Sequence, residues 1–162
     1  MDTELLVIGA GPYALSTAAL ARESGIDTVI LGRPMGFWRE HMPEGMFLRS
    51  GPDWHLDGAG VHTLEAYLDE RQLRPDEVGP IPVGLFVDYA DWFREGKDLD
   101  VREDFVRRLE KTNGRFDATL ESGEHVVADA VVAAPGVRHY TDRKSTRLNS
   151  SHEFVSRMPS SA

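Results

Sequence analysis

Residues 5–14 read Leu-Leu-Val-Ile-Gly-Ala-Gly-Pro-Tyr-Ala, and the interpretation of the whole chain starts from them. The four apolar residues predict a short buried strand, and the helix-forming residues that follow, as far as Gly25, predict a helix. A second apolar run, residues 28–31, completes a strand–helix–strand unit. In such a unit the first glycine makes a tight turn, the second lets the backbone approach a pyrophosphate, and a third small residue lets helix and strand pack closely.

This pattern predicts a dinucleotide-binding loop, called here the glycine loop, that runs from Gly9 through Gly11 and Pro12 to Ala14. Phosphate groups would lie at the N-terminus of the helix, where free backbone N–H groups and the helix dipole favour an anion. Pro12 suits the first helical turn because no helical hydrogen bond is lost there. The alternative is a plain strand–turn–helix in which the glycines serve only the turn.

Composition and length set broad limits on fold and function. A chain of 162 residues with 41% apolar and 28% charged residues is typical of one soluble globular domain. The absence of cysteine counts against a disulfide framework, a thiolate metal site and a disulfide reductase, a class that can share this nucleotide-binding start. A formal net charge of −9 argues against nucleic-acid or anionic-membrane binding. We find no apolar run of membrane-spanning length and no signal peptide, and therefore expect a cytoplasmic location.

The end of the chain differs in composition from the rest. Residues 142–152 and 156–162 resemble a translated sequencing adapter, and residues 153–155 would span the variable index between the two blocks. We therefore expect one domain over residues 1–141 and an artefactual, disordered tail over 142–162. The adapter interpretation implies that the natural protein continues and that this chain holds its N-terminal part. The alternative is a natural disordered tail, which the serine and arginine content also fits.

The residue after the second strand departs from the usual dinucleotide fingerprint. A carboxylate at this strand end normally accepts hydrogen bonds from a ribose hydroxyl, and the spacing from Gly9 assigns that role to Gly32, which has no side chain. Arg33 is suited to meet a 2′-phosphate, which keeps open the hypothesis of an NADP-binding module. The alternative for Arg33 is a solvated loop arginine.

Residues 34–60 show little periodicity, which predicts a long irregular segment of functional importance. Tryptophans, histidines and arginines in it suit a segment that lies over a flat aromatic cofactor, with cations near phosphates. The alternative assigns Trp38 to the core and makes His41 and His55 ordinary loop histidines. Neither histidine belongs to a dense ligand cluster, so no metal site is predicted.

Two helices are predicted in the middle of the chain. Thr63 is a suitable N-cap for a helix that ends at about Leu73. Residues 85–95 form an amphipathic pattern that predicts a helix with its apolar side chains in the core. The side chains assigned to that core are Leu85, Phe86, Tyr89, Trp92 and Phe93.

The pattern changes from helical to alternating after Val101. Residues 105–121 predict a hairpin around Asn113-Gly114, because this pair readily takes the positive φ angles of a type I′ turn. Residues 125–128 add a third strand and complete a meander. Residues 129–134 then predict a separate buried strand.

Residues 9–16, the Phe-Trp-Arg at 37–39 and residues 41–48 together resemble the flavin-dependent, NADPH-using monooxygenases. The branch is that of amino-acid N-hydroxylases and related FAD/NAD(P)-binding oxidoreductases. The resemblance implies an α/β fold: a Rossmann-like FAD-binding domain with a parallel sheet and a three-stranded antiparallel β-meander. It also implies that the FAD-binding domain is incomplete, because the family's last FAD motif is absent from the sequence, as is the second glycine-rich loop expected for the NADPH domain.

The resemblance further implies which residues hold the cofactor. The glycine loop would bind the FAD diphosphate together with residues 134–136, Val106 would offer backbone atoms to adenine, and the loop that contains Trp38 would lie along the flavin. The set implied by the resemblance comprises Gly9, Gly11, Pro12, Ala14, Val106, Ala134 and Gly136 for the nucleotide, and Trp38, His41, Met46 and Arg49 for the flavin. Arg33 joins the candidates only through the hypothesis of a 2′-phosphate contact given above.

The function implied by the resemblance is that of an FAD-dependent oxidoreductase, monooxygenase-like, acting on a small-molecule substrate with electrons from NADPH. The cofactor carries the chemistry in such enzymes, and no side chain of this chain is assigned a catalytic role. Two alternatives stay open. The chain is either a non-catalytic nucleotide-binding fragment that is inactive alone, or an NADP-binding module that uses Arg33.

Overall fold

The computed structural model describes residues 1–51 and 53–136, which form an α/β fold on one six-stranded sheet. The strands are β1 (Asp2–Ile8), β2 (Thr28–Leu31), β3 (Val101–Arg102), β4 (Val106–Thr112), β5 (Arg115–Leu120) and β6 (His125–Ala133). The helices are α1 (Pro12–Glu23), α2 (Gly36–His41), α3 (Leu64–Glu70), α4 (Pro75–Val78) and α5 (Val83–Gly96). The predicted fold class, a Rossmann-like parallel sheet joined to an antiparallel meander, is confirmed. The predicted tail, 142–162, lies outside the described residues.

The sheet has the strand order β3-β2-β1-β6-β5-β4, and its first part is parallel. β1 pairs in parallel with both β2 and β6, and β2 pairs in parallel with β3. Because parallel strands end at the same side of a sheet, the ends of these four strands form one border. We call it the carboxyl edge; there Ile8 lies beside Leu31 and Ala133, and Leu31 lies beside Arg102.

The other part of the sheet is the predicted meander. β4 and β5 are antiparallel and are joined by Asn113 and Gly114, whose φ angles of 54° and 86° are those of the predicted type I′ turn. β5 then pairs with the first part of β6. The hairpin and the third strand are therefore confirmed.

Residues 125–134 differ from the prediction in two ways. The two strands predicted there are one continuous strand, β6, which pairs with β5 only as far as Ala128 and continues beside β1 to Ala133. The sequence pattern changes at residue 129 because the neighbours change, and the chain does not break. The predicted burial of residues 129–134 is also wrong, since Asp129, Ala130 and Ala133 are exposed. Among the described residues, only β1 pairs with this part of β6.

Two groups of apolar side chains form the core. The larger core joins Leu5 and Val7 of β1 to the small residues of α1 and to the aromatic residues of α5. Its alanines allow α1 to lie close to the sheet. The smaller core packs Leu6 of β1 and Leu31 of β2 against the meander. Successive residues of β1 thus point to opposite faces, as expected for a strand that is buried on both sides.

The predicted helices are confirmed, with small changes at their ends. Thr63 Oγ1 accepts a hydrogen bond from the Ala66 N–H at 3.1 Å, as expected for an N-cap. α3 ends at Glu70 rather than at Leu73, and Gln72 takes a left-handed φ of 57° beyond that end. In α5 the predicted core residues Phe86, Tyr89 and Phe93 are buried, whereas Leu85 and Trp92 are half-buried.

Residues 34–60 are less irregular than predicted, because they contain α2. None of the residues of α2 is buried, so no apolar stripe marks this helix in the sequence. The short helix α4 was missed in the same way, and it also has no buried residue. No helix of the described part of the chain is long and apolar enough to cross a membrane.

Candidate functional site

The glycine loop lies at the carboxyl edge, and Gly9 is its point of closest approach to β6. The Gly9 N–H donates to the Leu31 carbonyl oxygen at 2.7 Å, and the Ala134 N–H donates to the Ile8 carbonyl oxygen at 2.8 Å. Gly9 has a φ of +120°, and a Cβ atom there would lie 2.1 Å from the Ala134 carbonyl oxygen. The first glycine is therefore required because the end of β6 passes directly over it.

Gly32 packs against the same loop from the side of β2. Its N–H donates to the Arg102 carbonyl oxygen at 3.0 Å, and its φ is +142°. A Cβ atom at Gly32 would lie 3.1 Å from both the Gly9 carbonyl carbon and the Ala10 nitrogen. A side chain at position 32 would therefore be strained in this backbone conformation, which suits the glycine found there in place of the expected carboxylate.

The N-terminus of α1 opens at the carboxyl edge without an internal cap. Gly11 is the N-cap residue, makes no side-chain cap hydrogen bond, and is followed by a first turn that has no acidic residue. A Cβ atom on Gly11 would meet nothing within 4 Å, in contrast to one on Gly9. Ala14 is buried against the core. The opening therefore offers backbone N–H groups and a positive helix dipole to an anion, and the second glycine leaves space for it.

The other residues assigned to the nucleotide lie at two places. Ala134 is half-buried against the larger core and touches Gly9, and Gly136 follows it with a φ of +72°. Val106, at the start of β4, is half-buried against the smaller core, which contains Leu31. The structure thus brings the glycine loop and residues 134–136 together, with Val106 on the smaller core beside β2.

Arg33 has a partner on α2. Its guanidinium forms an ion pair with the Glu40 carboxylate. The aliphatic part of the Arg33 side chain runs past Gly36, where a Cβ atom would lie 3.2 Å from the Arg33 Cβ. Arg33 is exposed but is not a free loop cation, because Glu40 neutralises it.

The four residues assigned to the flavin do not form one cluster. The Trp38 ring lies 5.0 Å from the Phe86 ring and packs against the larger core. The His41 ring lies 5.3 Å from Phe37, and both His41 and Arg49 are exposed, whereas Met46 is half-buried. No hydrogen bond or ring contact between described residues joins this set to the glycine loop. Their contact with a flavin stays a prediction.

Two anchors hold the segment that carries Met46 and Arg49, which we call the anchored segment (residues 46–62, described except for residue 52). The first anchor is backbone pairing: the Leu48 N–H donates to the Ile81 carbonyl at 2.8 Å, and the Val83 N–H donates to the Met46 carbonyl at 2.9 Å. This pairing fixes the start of the anchored segment next to the N-terminus of α5.

The second anchor uses two buried side chains, of which Tyr89 is the first. Its hydroxyl accepts a hydrogen bond from the Leu56 N–H and donates one to the His62 carbonyl oxygen, both at 2.9 Å. Burial raises the pKa of Tyr89 to about 12, so the hydroxyl keeps its proton at neutral pH.

Asp57 is the second side chain of this anchor and is 1% exposed. Its carboxylate accepts hydrogen bonds from the backbone N–H groups of Ala59, Val61 and His62 at 2.7–3.0 Å. Lys97 Nζ lies 2.8 Å from the same carboxylate and also pairs with Glu23 of α1. Burial alone would raise the pKa of Asp57, but the hydrogen bonds from Lys97 and the backbone outweigh it and lower the pKa to about 2.

Trp54 lies between the two anchors and brings the anchored segment to the glycine loop. Its ring packs edge-on against the Tyr13 ring, with 6.4 Å between the ring centroids. Tyr13 belongs to the first turn of α1 and is 73% exposed, and Trp54 is 45% exposed. Neither residue was in the predicted set; the aromatic content of residues 34–60 was the signal available for Trp54. The pair forms an apolar wall beside the anion-accepting helix end.

Comparison with known proteins gives structural relatives and no sequence family. No family model matches the sequence, and no curated protein matches it either. Among solved structures, the bacillithiol disulfide reductase Bdr (YpdA) from Staphylococcus aureus superposes with a TM-score of 0.70 at 21% identity, over 84% of this chain and 39% of that protein. A flavin-containing monooxygenase from Stenotrophomonas maltophilia has a TM-score of 0.67 at 25% identity, over 82% and 38%. A steroid monooxygenase bound to NADP has a TM-score of 0.69 at 19% identity, over 84% and 26%.

These relatives confirm the resemblance to flavin monooxygenases that the motifs predict. They also include disulfide reductases, the class against which the absence of cysteine counts; at 21% identity that likeness concerns the fold alone. The chain spans about two-fifths of the length of the first relatives or less. The chain therefore has the fold of one part of the flavin monooxygenases and of the flavoprotein disulfide reductases related to them in structure.

Proposed function

We propose that this chain is the FAD-binding part of an FAD-dependent oxidoreductase. The observation that carries the proposal is the opening at the N-terminus of α1. Gly9 and Gly32 are packed against neighbouring backbone there, whereas a Cβ atom on Gly11 would meet nothing within 4 Å, so the space in front of Gly11 is free. The flavin-containing monooxygenase at 25% identity, which shares this fold, supports the choice of a flavin, and the predicted diphosphate loop makes FAD the proposed one.

The residues at the opening fit a diphosphate. Backbone N–H groups at the start of α1 are free of a side-chain cap, and the first turn holds no carboxylate that would repel an anion. We propose that Gly11 allows the diphosphate to approach and that Ala134 and Gly136 flank it. When bound, FAD supplies the redox chemistry, and the protein's part is to bind, orient and shield it.

The flavin end is proposed to lie toward the anchored segment. Trp38, His41, Met46 and Arg49 are the proposed contacts. The support for them is that α2 and the anchored segment follow the loop after β2 in the chain, and that Trp54 of the anchored segment packs against Tyr13 of α1. Trp38 would contribute only the part of its ring that Phe86 leaves uncovered. Val106 remains the proposed contact for adenine.

The whole protein is proposed to be a monooxygenase-like enzyme that oxidises a small molecule with NADPH. The chain covers 38% of the Stenotrophomonas enzyme, so the NADPH-binding part and the substrate site are proposed to lie in the rest of the protein. A monooxygenase is proposed rather than a disulfide reductase because residues 9–16, 37–39 and 41–48 resemble the flavin-dependent monooxygenases. A cytoplasmic location is proposed with it, on the acidic, cysteine-free composition.

Two experiments test this proposal. The 162-residue chain is mixed with FAD or with FMN, and the flavin retained after gel filtration is measured. FMN lacks the diphosphate and adenosine, so we expect FAD to be retained and FMN to be lost. The natural full-length protein should purify yellow and oxidise NADPH, whereas the 162-residue chain should bind without turnover. A full-length protein that stays colourless after reconstitution with FAD contradicts the proposal.

A further inference from the structure

The second half of β6 has an unpaired edge. β5 pairs with β6 only as far as Ala128, whereas β1, on the other side, continues beside β6 to Ala133. The edge of residues 129–133 that faces away from β1, called here the open edge, therefore has no partner strand among the described residues. Unpaired backbone N–H and C=O groups at a strand edge are a template on which another strand can pair.

The residues of the open edge have the composition of a buried strand. Residues 130–134 read Ala-Val-Val-Ala-Ala, an uninterrupted apolar run of the kind found in strands that are covered on both faces. In this chain Ala130 and Ala133 are exposed, and Val131 and Val132 are only half-buried. An apolar strand that its own fold leaves uncovered indicates a surface that another polypeptide covers.

The two end strands of the sheet differ from the open edge. β3 is only two residues long, and β4 is exposed after its first residue and carries three basic side chains. Short strands and charged side chains are the usual devices that keep a sheet edge from pairing with another chain. The open edge has neither device, because its one charged residue, Asp129, forms an ion pair with Arg115 at 2.6 Å. Of these three edges, the open edge is therefore the one suited to pairing.

The direction of the backbone groups on the open edge follows from the pairing with β1. The Val127 N–H donates to the Met1 carbonyl oxygen, and successive residues of a strand direct their backbone groups to alternate sides. Ala130 and Val132 therefore direct their N–H and C=O groups away from β1, and no described residue pairs with these groups. Their side chains point to the face that carries α1, because their partners on β1 belong to the larger core.

A second copy of the chain fits the open edge. In an antiparallel pair centred on Val131, Ala130 of one copy would lie opposite Val132 of the other, so the outward backbone groups of both copies would be satisfied. Asp129 would lie opposite Ala133, so no like charges would face each other directly. Each copy would offer the same patch to the other, as a two-fold symmetric interface requires.

We propose that two copies of this chain associate through the open edge, with their β6 strands antiparallel, so that the two sheets join into one. This association is separate from the proposed function, because it involves neither the glycine loop nor a bound cofactor. The paired segment is short, so we expect a weak dimer that forms and dissociates with protein concentration rather than a permanent one.

Sedimentation equilibrium of the 162-residue chain measures this association. The wild type should show a reversible monomer–dimer equilibrium. Ala130→Lys should weaken the dimer about tenfold or more, because the two lysines would be diagonal neighbours on the same face of the joined sheet, and Ala130→Glu should do the same. An equal mixture of the two variants should associate about tenfold more tightly than either variant alone, because lysine and glutamate at position 130 attract each other across the interface.

Leu109→Lys is the matched control, because it places the same charge at an exposed apolar position on β4 and should leave the association unchanged. Circular dichroism and the unfolding midpoint verify that each variant is folded. A wild type that stays monomeric at every concentration, or a dimer that Ala130→Lys does not weaken, overturns the proposal. A mixture of the lysine and glutamate variants that associates no better than each alone overturns the antiparallel pairing of two copies.

Discussion

Single residues of the same type have different tasks at the carboxyl edge. Gly9 is a glycine because the end of β6 passes over it, whereas a Cβ atom on Gly11 would meet nothing within 4 Å, which leaves space for the proposed ligand. The sequence motif predicts a glycine at both positions, the first for a tight turn and the second for the approach of a pyrophosphate, but it does not predict the contact between Gly9 and Ala134. It does not predict that Gly32 is closed by Gly9 and Ala10, since that contact joins residues more than twenty positions apart and follows from the fold. The departure from the motif at this position therefore goes with a backbone in which a side chain would be strained.

Alanine substitutions should separate these tasks. Gly9→Ala would force a Cβ atom against a backbone oxygen, and we expect a loss of about 3 kcal/mol or more in the free energy of unfolding. Gly32→Ala, with a looser contact, should cost about 1–3 kcal/mol. Gly11→Ala should change stability by less than about 0.5 kcal/mol, because its φ is ordinary and its Cβ is free. Urea denaturation measures all three, and equal losses at Gly9 and Gly11 would contradict this account.

The low pKa of Asp57 predicts how the free energy of unfolding depends on pH. Its folded pKa of about 2 lies below the ordinary value of 3.8, so its contribution is present above about pH 4 and is lost as the pH falls toward 2. The shift corresponds to about 2 kcal/mol. Asp57→Asn should lower stability at neutral pH and flatten the profile between pH 4 and 2. Asp53→Asn, an exposed control in the same segment, should keep the wild-type profile, and an unchanged profile for Asp57→Asn would refute the buried ion pair.

Among the elements, the anchored segment is the one that sequence reasoning described least well. Composition predicted an irregular, functional segment after β2, and it missed α2, whose residues are not buried. The anchors were beyond sequence analysis for a physical reason. Asp57 forms an ion pair with Lys97, and the Leu56 N–H donates to the Tyr89 hydroxyl. Lys97 and Tyr89 lie next to and within α5, more than thirty residues further along the chain.

Tyr89→Phe tests the second anchor. The substitution leaves the Leu56 N–H and the His62 carbonyl buried without their partner, so we expect a loss of about 2 kcal/mol. Amide hydrogen exchange of Leu56 should accelerate by more than the loss of global stability explains. Tyr13→Phe, at an exposed tyrosine, is the control and should leave both quantities unchanged. If Tyr89→Phe also leaves the free energy of unfolding and the exchange rate of the Leu56 amide unchanged, the hydroxyl does not hold the anchored segment.

Trp54 tests whether the anchored segment serves the site. Its ring packs against Tyr13 on the first turn of α1, so we expect Trp54→Ala to weaken FAD binding about three- to tenfold. Stability should change little, because nearly half of the Trp54 side chain is exposed. Trp92→Phe, in α5, is the control for loss of a tryptophan. Unchanged FAD affinity in Trp54→Ala would make the aromatic pair a surface contact without a role in binding.

For the molecule as a whole, the order of elements was predictable and the joining of the two sheet halves was not. Each strand pattern depends on its neighbours, and β6 changes neighbours along its length, from β5 and β1 to β1 alone. A single strand therefore looked like two. The same change explains why residues 129–133 are more exposed than their apolar sequence suggests. The glycine loop, in contrast, was predicted between a strand and a helix from its own residues, and the structure has it there, between β1 and α1.

The most direct test of the central claim is a flavin fluorescence titration of the 162-residue chain and of its Gly11→Ala variant with FAD. If the backbone at the start of α1 holds the FAD diphosphate, the wild type should bind FAD at one saturable site. The variant, with the same unfolding midpoint, should bind about tenfold more weakly or worse, because its methyl group occupies the space for the phosphates. Equal affinity in the two proteins, or no binding by a folded wild type, would contradict the claim.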